Sequence, residues 1–350
     1  MMEGGAEKFV ATLLSRLDRS KFAPALALVK KEGAFLGRLP DDIPVIDLHA
    51  GRVRKSIFGI IRLTWTVRPD VVFSTLGHLN LMLMMIRFLM PPGIRFIGRE
   101  TSIVSLRSEK RLFPQALRYL YTIFYNCFDR IVCQSDYMKN DLVACCRIAE
   151  SRVLVINNPV DFDRIDAELE NRPPALDTRR FNLVAVGRLE KVKGFDMLLE
   201  AFSKLREPGA FLTILGSGAE QDSLRRLCGE LGLEGSVEFA GFVENPYAYM
   251  RDADLLVVTS HYEGFPNAVL EAHACGTPVV GFECPGGIRE IILDGRNGFL
   301  VAHRDTDALA REIARARQTV FDRTAIRASA RSRYSAGDII PAYERLLETV

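Results

Sequence analysis

Cysteine and histidine occur in this chain without the spacing that makes them metal ligands. None of the seven cysteines forms a C-x-x-C pair, and Cys145 and Cys146 are adjacent, a poor geometry for a local disulfide. A cysteine-ligated zinc module and a disulfide-stapled domain are therefore excluded, and a reducing cytoplasm is the expected compartment. Long apolar runs are also missing. The longest, residues 79–90, is interrupted by Asn80 and Arg87 and stops at Pro91-Pro92, too short to span a bilayer. No signal-peptide pattern opens the chain, and there is no short-period repeat or low-complexity tract.

What is present fits an α/β protein of two domains. The 350 residues suffice for two cores. The net charge of +2 conceals an asymmetry: residues up to Asn157 carry 23 Lys and Arg against 14 Asp and Glu, and the remainder 23 against 30. A basic first half suits an anionic acceptor or a membrane surface, or simply scattered solvated charge. Short strand candidates at 25–29, 45–48, 71–74, 95–98 and 131–133 alternate with helical patterns at 56–67, 80–90 and 113–128. The alternation predicts a parallel sheet covered by helices. After the breakers Asn158-Pro159 and Asn171-Arg172-Pro173-Pro174 a second series begins, with strands at 181–186, 211–215, 237–240, 255–259 and 278–281 and a helix at 306–319. The expected domains are 1–157 and 158–336, with a separate tail helix at 337–350. The chain opens on a Gly4-Gly5 turn running into an amphipathic helix faced by Phe9, Leu13, Leu14 and Leu17. Such a turn normally follows a first strand, so either the chain starts late or the sheet lacks one.

One stretch organises the second half. Glu263-Gly264-Phe265-Pro266-Asn267-Ala268-Val269-Leu270-Glu271 follows an apolar, β-branched run that reads as a buried strand. Gly264 permits a turn, Pro266 has its φ set for helix entry, and 267–274 favour a helix. The N–H groups of Asn267, Ala268 and Val269 are expected to point out of its N-terminus as a phosphate seat. Glu263 and Glu271, eight positions apart, flank that seat as hydroxyl-binding groups. An ordinary capped helix with two solvated glutamates is the competing reading. Gly187-Arg188-Leu189-Glu190-Lys191-Val192-Lys193-Gly194 also follows a strand directly, and Arg188 and Lys193 together suit a diphosphate.

GRLEKVKG at 187–194, LGSGAE at 215–220, EFAGFVENP at 238–246 and EGFPNAVLEAHACGTPVV at 263–280 stand in a familiar order. From about residue 157 onward the chain resembles the retaining GT-B glycosyltransferases of family 4, the glycosyl transferases group 1. Gly4-Gly5-Ala6-Glu7 resembles that family's N-domain glycine loop. The resemblance implies a GT-B fold of two Rossmann-like domains facing a central cleft, acceptor in the first and nucleotide sugar in the second, with the tail helix crossing back to the first. It implies a UDP-linked hexosyl or N-acetylhexosaminyl donor, a glycan or polyprenyl-linked acceptor, cell-envelope polysaccharide or lipopolysaccharide synthesis, and neither metal nor other cofactor. By this likeness Arg188 and Lys193 neutralise the diphosphate, Glu263 holds sugar hydroxyls and Glu271 the ribose. The amides of Phe265, Pro266, Asn267, Ala268 and Val269 hold the distal phosphate and sugar, Pro266 contributing backbone shape rather than an N–H. Gly187, Gly216 and Gly218 let the chain approach the nucleotide, Phe242 and Val243 receive the base, and Gly5 belongs to the N-domain donor loop. Retention implies front-face attack in which the leaving phosphate helps to take the acceptor proton.

The departure lies in the first domain. Many relatives place a histidine after the fifth strand, where this chain reads Arg99-Glu100-Thr101-Ser102; the nearest substitute is His78, expected in the loop after strand 71–74. Arg99 and Glu100 read either as ligand contacts or as an internal salt bridge, and His273 as packed on its helix. The run 79–90 with Arg107, Lys110, Arg111 and Arg118 forms a candidate apolar and basic patch for a lipid-linked acceptor at the inner face of the plasma membrane, or a buried helix beside a solvated basic loop. Two other functions fit the same architecture: a UDP-sugar 2-epimerase, and a nucleotide-sugar binding protein without catalysis.

Overall fold

The computed structural model describes all residues except 1–4, 34, 35, 110–113, 171 and 206, together with the side chains of 107–109 and 114. The chain divides into two compact units, Met1–Pro159 with Ala336–Val350, and Val160–Ser335. Gly4 of the glycine turn lies outside the described residues, as do Lys110 and Arg111 and the Arg107 side chain of the basic patch.

In the first unit β1 (Leu26–Leu28) and β2 (Val45–Asp47) form a parallel pair. β3 (Val71–Ser74), β4 (Arg95–Arg99), β5 (Arg130–Cys133) and β6 (Val153–Val155) form a parallel sheet in that order. The apolar face of helix Gly5–Arg16 meets the tail helix Ala336–Thr349, and Phe9, Leu13 and Leu17 share one core with Ile340, Tyr343, Leu346, Ile97 and Val132. The tail is thus part of the first unit's core. Asp18 N donates to Glu344 Oε1 at 2.8 Å and Lys21 pairs with Glu348 at 2.9 Å on the same seam.

Arg99 and Glu100 belong to this interior and do not pair with each other as an ion pair. Arg99 is fully buried, its guanidinium 3.7 Å above the Phe9 ring and donating to Tyr343 Oη, Thr75 Oγ1 and Asn158 Oδ1. Burial holds its pKa below the usual arginine value. Glu100 accepts from Tyr125 Oη at 2.6 Å. His78 is not in a loop: it is the second residue of helix Gly77–Ile86, exposed in its first turn. The run 79–90 is not one helix either, since the α-helix ends at Ile86 and a 3-10 turn, Arg87–Leu89, follows.

The second unit is a six-stranded parallel sheet of β7 (Phe181–Val186), β8 (Ala210–Leu215), β9 (Val237–Gly241), β10 (Leu255–Val258), β11 (Val279–Phe282) and β12 (Gly298–Val301). Their spatial order is β12-β11-β10-β7-β8-β9. The chain winds outward from β7 through β8 to β9, then returns to the other side of β7 and winds outward through β10 to β12. This is the doubly wound arrangement, and the β7–β10 seam is its switch point, where loops leaving adjacent strands part to opposite faces and open a crevice. Apolar cores cover both faces of the sheet. β12 and helix Arg323–Tyr334, capped by Asp322 accepting from Ala325 N, were not anticipated from the sequence.

Candidate active site

The crevice of the second unit is built from loops at the carboxyl ends of its strands. The loop after β7 turns through a single 3-10 turn, Lys191–Lys193, into helix Phe195–Lys204. Two hydrogen bonds tie it to the loop after β10: Thr259 Oγ1 donates to the Lys193 carbonyl at 3.1 Å, and His261 N to the Val192 carbonyl at 2.8 Å. The Lys193 ammonium then reaches Glu263 Oε1 at 2.6 Å, the two side chains 25% and 13% exposed. Ser260 Oγ donates to the same oxygen at 2.6 Å. Both donors use Oε1; among the described residues no hydrogen bond reaches Oε2 of Glu263. Two candidates 70 positions apart are thereby joined across the switch point.

The other loops fit against this pair by close backbone approach. Gly216 has φ +143°, and a Cβ there would lie 1.9 Å from the Gly187 carbonyl oxygen. Gly216 N donates to the Gly241 carbonyl at 2.7 Å, and Leu189 N to the Ser217 carbonyl at 2.9 Å. Gly218 lies against the Leu189 backbone, and the aliphatic stem of Lys193 lies against Gly187. What these glycines accommodate within the chain is one another's loops. Phe242 is 52% exposed beyond β9, while Val243 packs on the core.

Helix Asn267–Ala274 starts directly after its N-cap, Pro266, with the bounds the sequence implies. Val269 N, however, donates to the Pro266 carbonyl at 3.1 Å, so its N–H is already engaged in the first turn and does not project as expected. Phe265 and Val269 have buried side chains, Phe265 against the Tyr334 ring, so any contact they make with a ligand is through backbone. Glu271 lies one turn inside the helix and is half-buried.

Arg188 does not join Lys193 and Glu263. Its guanidinium is exposed and pairs with Glu190 of its own loop at 2.7 Å. Gly5, in the first unit, is an exposed residue at the start of its helix.

The sequence reading missed the loop after β11. Glu263 N donates to the Pro285 carbonyl and Gly287 N to the Gly264 carbonyl, both at 3.0 Å, so this loop fixes the backbone carrying Glu263. The run Cys284-Pro285-Gly286-Gly287 was its signal. Behind Glu263 the Cys284 thiol is pushed up to about 12, by burial first and then by the Glu263 charge. It stays a neutral thiol. His273 is buried with Nε2 3.1 Å from the Asn297 carbonyl, and burial lowers its pKa to about 4. It is a neutral packing group of the helix.

Residues 166–333 match the family described as Glycosyl transferases group 1, and residues 3–164 match Glycosyltransferase Family 4. Over 99% of this chain and 97% of the other, the fold superposes on the crystal structure of Anabaena Alr3699/HepE in complex with UDP, with a TM-score of 0.84 at 21% identity. This chain belongs to the GT-B glycosyltransferases. The enzyme is 29% identical, over 85% of its own length and 82% of the relative's, to a Campylobacter jejuni protein. That relative is the N-acetylgalactosamine-N,N'-diacetylbacillosaminyl-diphospho-undecaprenol 4-alpha-N-acetylgalactosaminyltransferase. It is 25% identical, over 89% of its own length and 85% of the relative's, to the amylovoran biosynthesis glycosyltransferase AmsD of Erwinia amylovora.

Proposed function

We propose that this glycosyltransferase moves a hexosyl or N-acetylhexosaminyl group from a UDP-sugar to a lipid-linked glycan acceptor during cell-envelope polysaccharide synthesis. Transfer retains the anomeric configuration and uses no metal. The enzyme works on the cytoplasmic side, peripheral to the membrane that carries the acceptor.

The observation that carries the reading is the Lys193–Glu263 pair at the switch point of the donor-type sheet. An ammonium fixed there before the ligand arrives can stabilise the charge that develops on a departing diphosphate, without reorganising during the reaction. Arg188, earlier in the same loop, adds a second cation, so the two supply the positive charge that a divalent ion supplies elsewhere. Glu263 Oε2 accepts from a sugar hydroxyl, and the N–H groups of Asn267 and Ala268 at the start of helix Asn267–Ala274 receive phosphate oxygens. Glu271 serves the ribose hydroxyls. The leaving phosphate takes the acceptor proton as the glycosidic bond forms. The lipid-linked acceptor of the Campylobacter relative and the UDP held by HepE support the choice of substrates.

A mass-spectrometric screen of UDP-sugars against polyprenyl-diphosphate-linked saccharides tests the assignment, with and without chelator. Lys193→Ala, Arg188→Ala and Glu263→Ala are each expected to abolish nearly all transfer while leaving the thermal transition in place. Unimpaired turnover in all three would end the proposal, and loss of activity in chelator would end its metal-independent part.

A further inference from the structure

Residues 48–98 hold a single acidic side chain, Asp70, against seven Lys and Arg. Arg52, Arg54, Lys55, Arg62 and Arg68 are exposed, and none of them forms an ion pair among the described residues. The same stretch carries Phe58 and Phe88, 85% and 81% exposed, with Trp65 and Leu89 also exposed. Single apolar residues on a surface are ordinary, but two nearly naked phenylalanines in a cationic setting are not.

These side chains share a surface. On helix Ile57–Val67, Phe58, Arg62 and Trp65 recur at i, i+4 and i+7 as one stripe, while Ile60 and Thr64 are buried on the other side. Trp65 Nε1 donates to the Leu89 carbonyl at 2.9 Å. That bond joins the helix to the 3-10 turn Arg87–Leu89, which carries Phe88. The result is an apolar ridge of Phe58, Trp65, Phe88 and Leu89 with Arg62 on the same stripe; Asp129 pairs with Arg87 and Arg95 at the turn and leaves the five arginines and lysines of 52–68 uncompensated among the described residues.

We propose that this face docks the first unit on an anionic lipid bilayer. Phe58 and Phe88 enter the acyl boundary, and Trp65 sits at headgroup level, where an aromatic with one apolar and one polar edge is most stable. Arg62, Arg68 and the Arg52–Lys55 turn meet the lipid phosphates. A second copy of the chain fits less well, because it would set the same cationic ridge against itself. The proposal rests on the reading that the acceptor is carried by a lipid, and it says which side of the enzyme meets that lipid.

Trp65 is the only tryptophan in the chain, so tryptophan emission, excited selectively over the tyrosines, reports on this face alone. The full chain is titrated with phosphatidylcholine vesicles, with and without phosphatidylglycerol, and scored by emission wavelength and by co-sedimentation. With phosphatidylglycerol the emission shifts to shorter wavelength and the protein sediments, less so as salt rises. The double variant Phe58→Ser/Phe88→Ser loses both responses. Arg62→Gln and Arg68→Gln each weaken vesicle binding about fivefold. Calorimetric UDP binding and transfer to a water-soluble acceptor stay unchanged in every variant, so a failure of docking is separable from a failure of the enzymatic reading. Emission that ignores anionic lipid, or serine variants that sediment like the parent, would overturn the proposal. So would a lipid-independent dimer dispersed by the serine variants, which would give the face to a second copy.

Discussion

Replacing Gly216 by alanine tests whether the site depends on loops that touch backbone to backbone. Gly216 has φ +143°, and a Cβ there would sit 1.9 Å from the carbonyl oxygen of Gly187 and 2.9 Å from its carbonyl carbon. Both are main-chain atoms and cannot swing aside as a side-chain tip would. The dihedral alone costs roughly 1–3 kcal/mol for an L side chain. Pushing the β7 and β8 loops apart costs about as much again, in the range of overpacking. A loss of about 4 kcal/mol lowers the midpoint for a unit of this size by roughly 10 °C. Gly232→Ala is the control: φ there is +67°, yet nothing lies within 4 Å of the added methyl, so about 1 kcal/mol is expected. Calorimetric melts of the two variants should therefore differ widely. Because Lys193 lies against Gly187, Gly216→Ala should also raise the donor KM at temperatures where it is folded. If the two variants melt within about 2 °C of each other, the close-approach argument is refuted.

Arg99→Met should destabilise the first unit by about 3 kcal/mol, because Asn158, Thr75 and Tyr343 lose a buried donor together, and Arg99→Lys should restore little of it. Urea melts and protease release of the tail helix measure this; a melt like the parent's would contradict it. His273 has its folded pKa lowered to about 4, below the ordinary value of 6.5. Its neutral form is the one the fold favours, so its contribution is complete above pH 6.5 and is lost as pH falls from 6.5 towards 4, by roughly 3 kcal/mol in all. His273→Gln should flatten that part of the stability profile, and an unchanged slope between pH 6.5 and 4 would refute the assignment.

Buried parallel strands were the most legible part of the sequence, because both faces are covered and the strand reads as an apolar run; β3 and β7 have the bounds expected of them. β12 escaped notice as a four-residue edge strand that begins on a glycine. Helix Arg323–Tyr334 escaped because Ile326, Ala330 and Tyr334 are diluted among arginines and serines, leaving only Asp322 as a start signal. At the site, residue types and loop positions were readable, but the Lys193–Glu263 pair was not. It depends on β7 and β10 being neighbours, and strand order is a property of the packed sheet. Arg99 stayed open between a ligand contact and an internal salt bridge for the same reason: what buries it is the tail helix, whose Tyr343 is 244 positions away.

The structure also separates two cations that the sequence treats as a couple. Lys193 is half-enclosed and already held by Glu263, while Arg188 is exposed and, among the described residues, pairs only with Glu190 on its own loop. An exposed pair of that kind contributes about 0–1 kcal/mol, so a diphosphate offering two acceptor oxygens to the guanidinium fork readily displaces the Glu190 carboxylate. Under the proposed function Lys193 is then the preorganised element and Arg188 the one recruited by the donor. Glu190→Gln removes the competitor and leaves both cations in place. UDP should bind this variant up to about fivefold more tightly, with the gain abolished in Glu190→Gln/Arg188→Ala. If Glu190→Gln instead weakens UDP binding, the carboxylate is positioning Arg188 rather than competing for it, and the recruited-cation account falls.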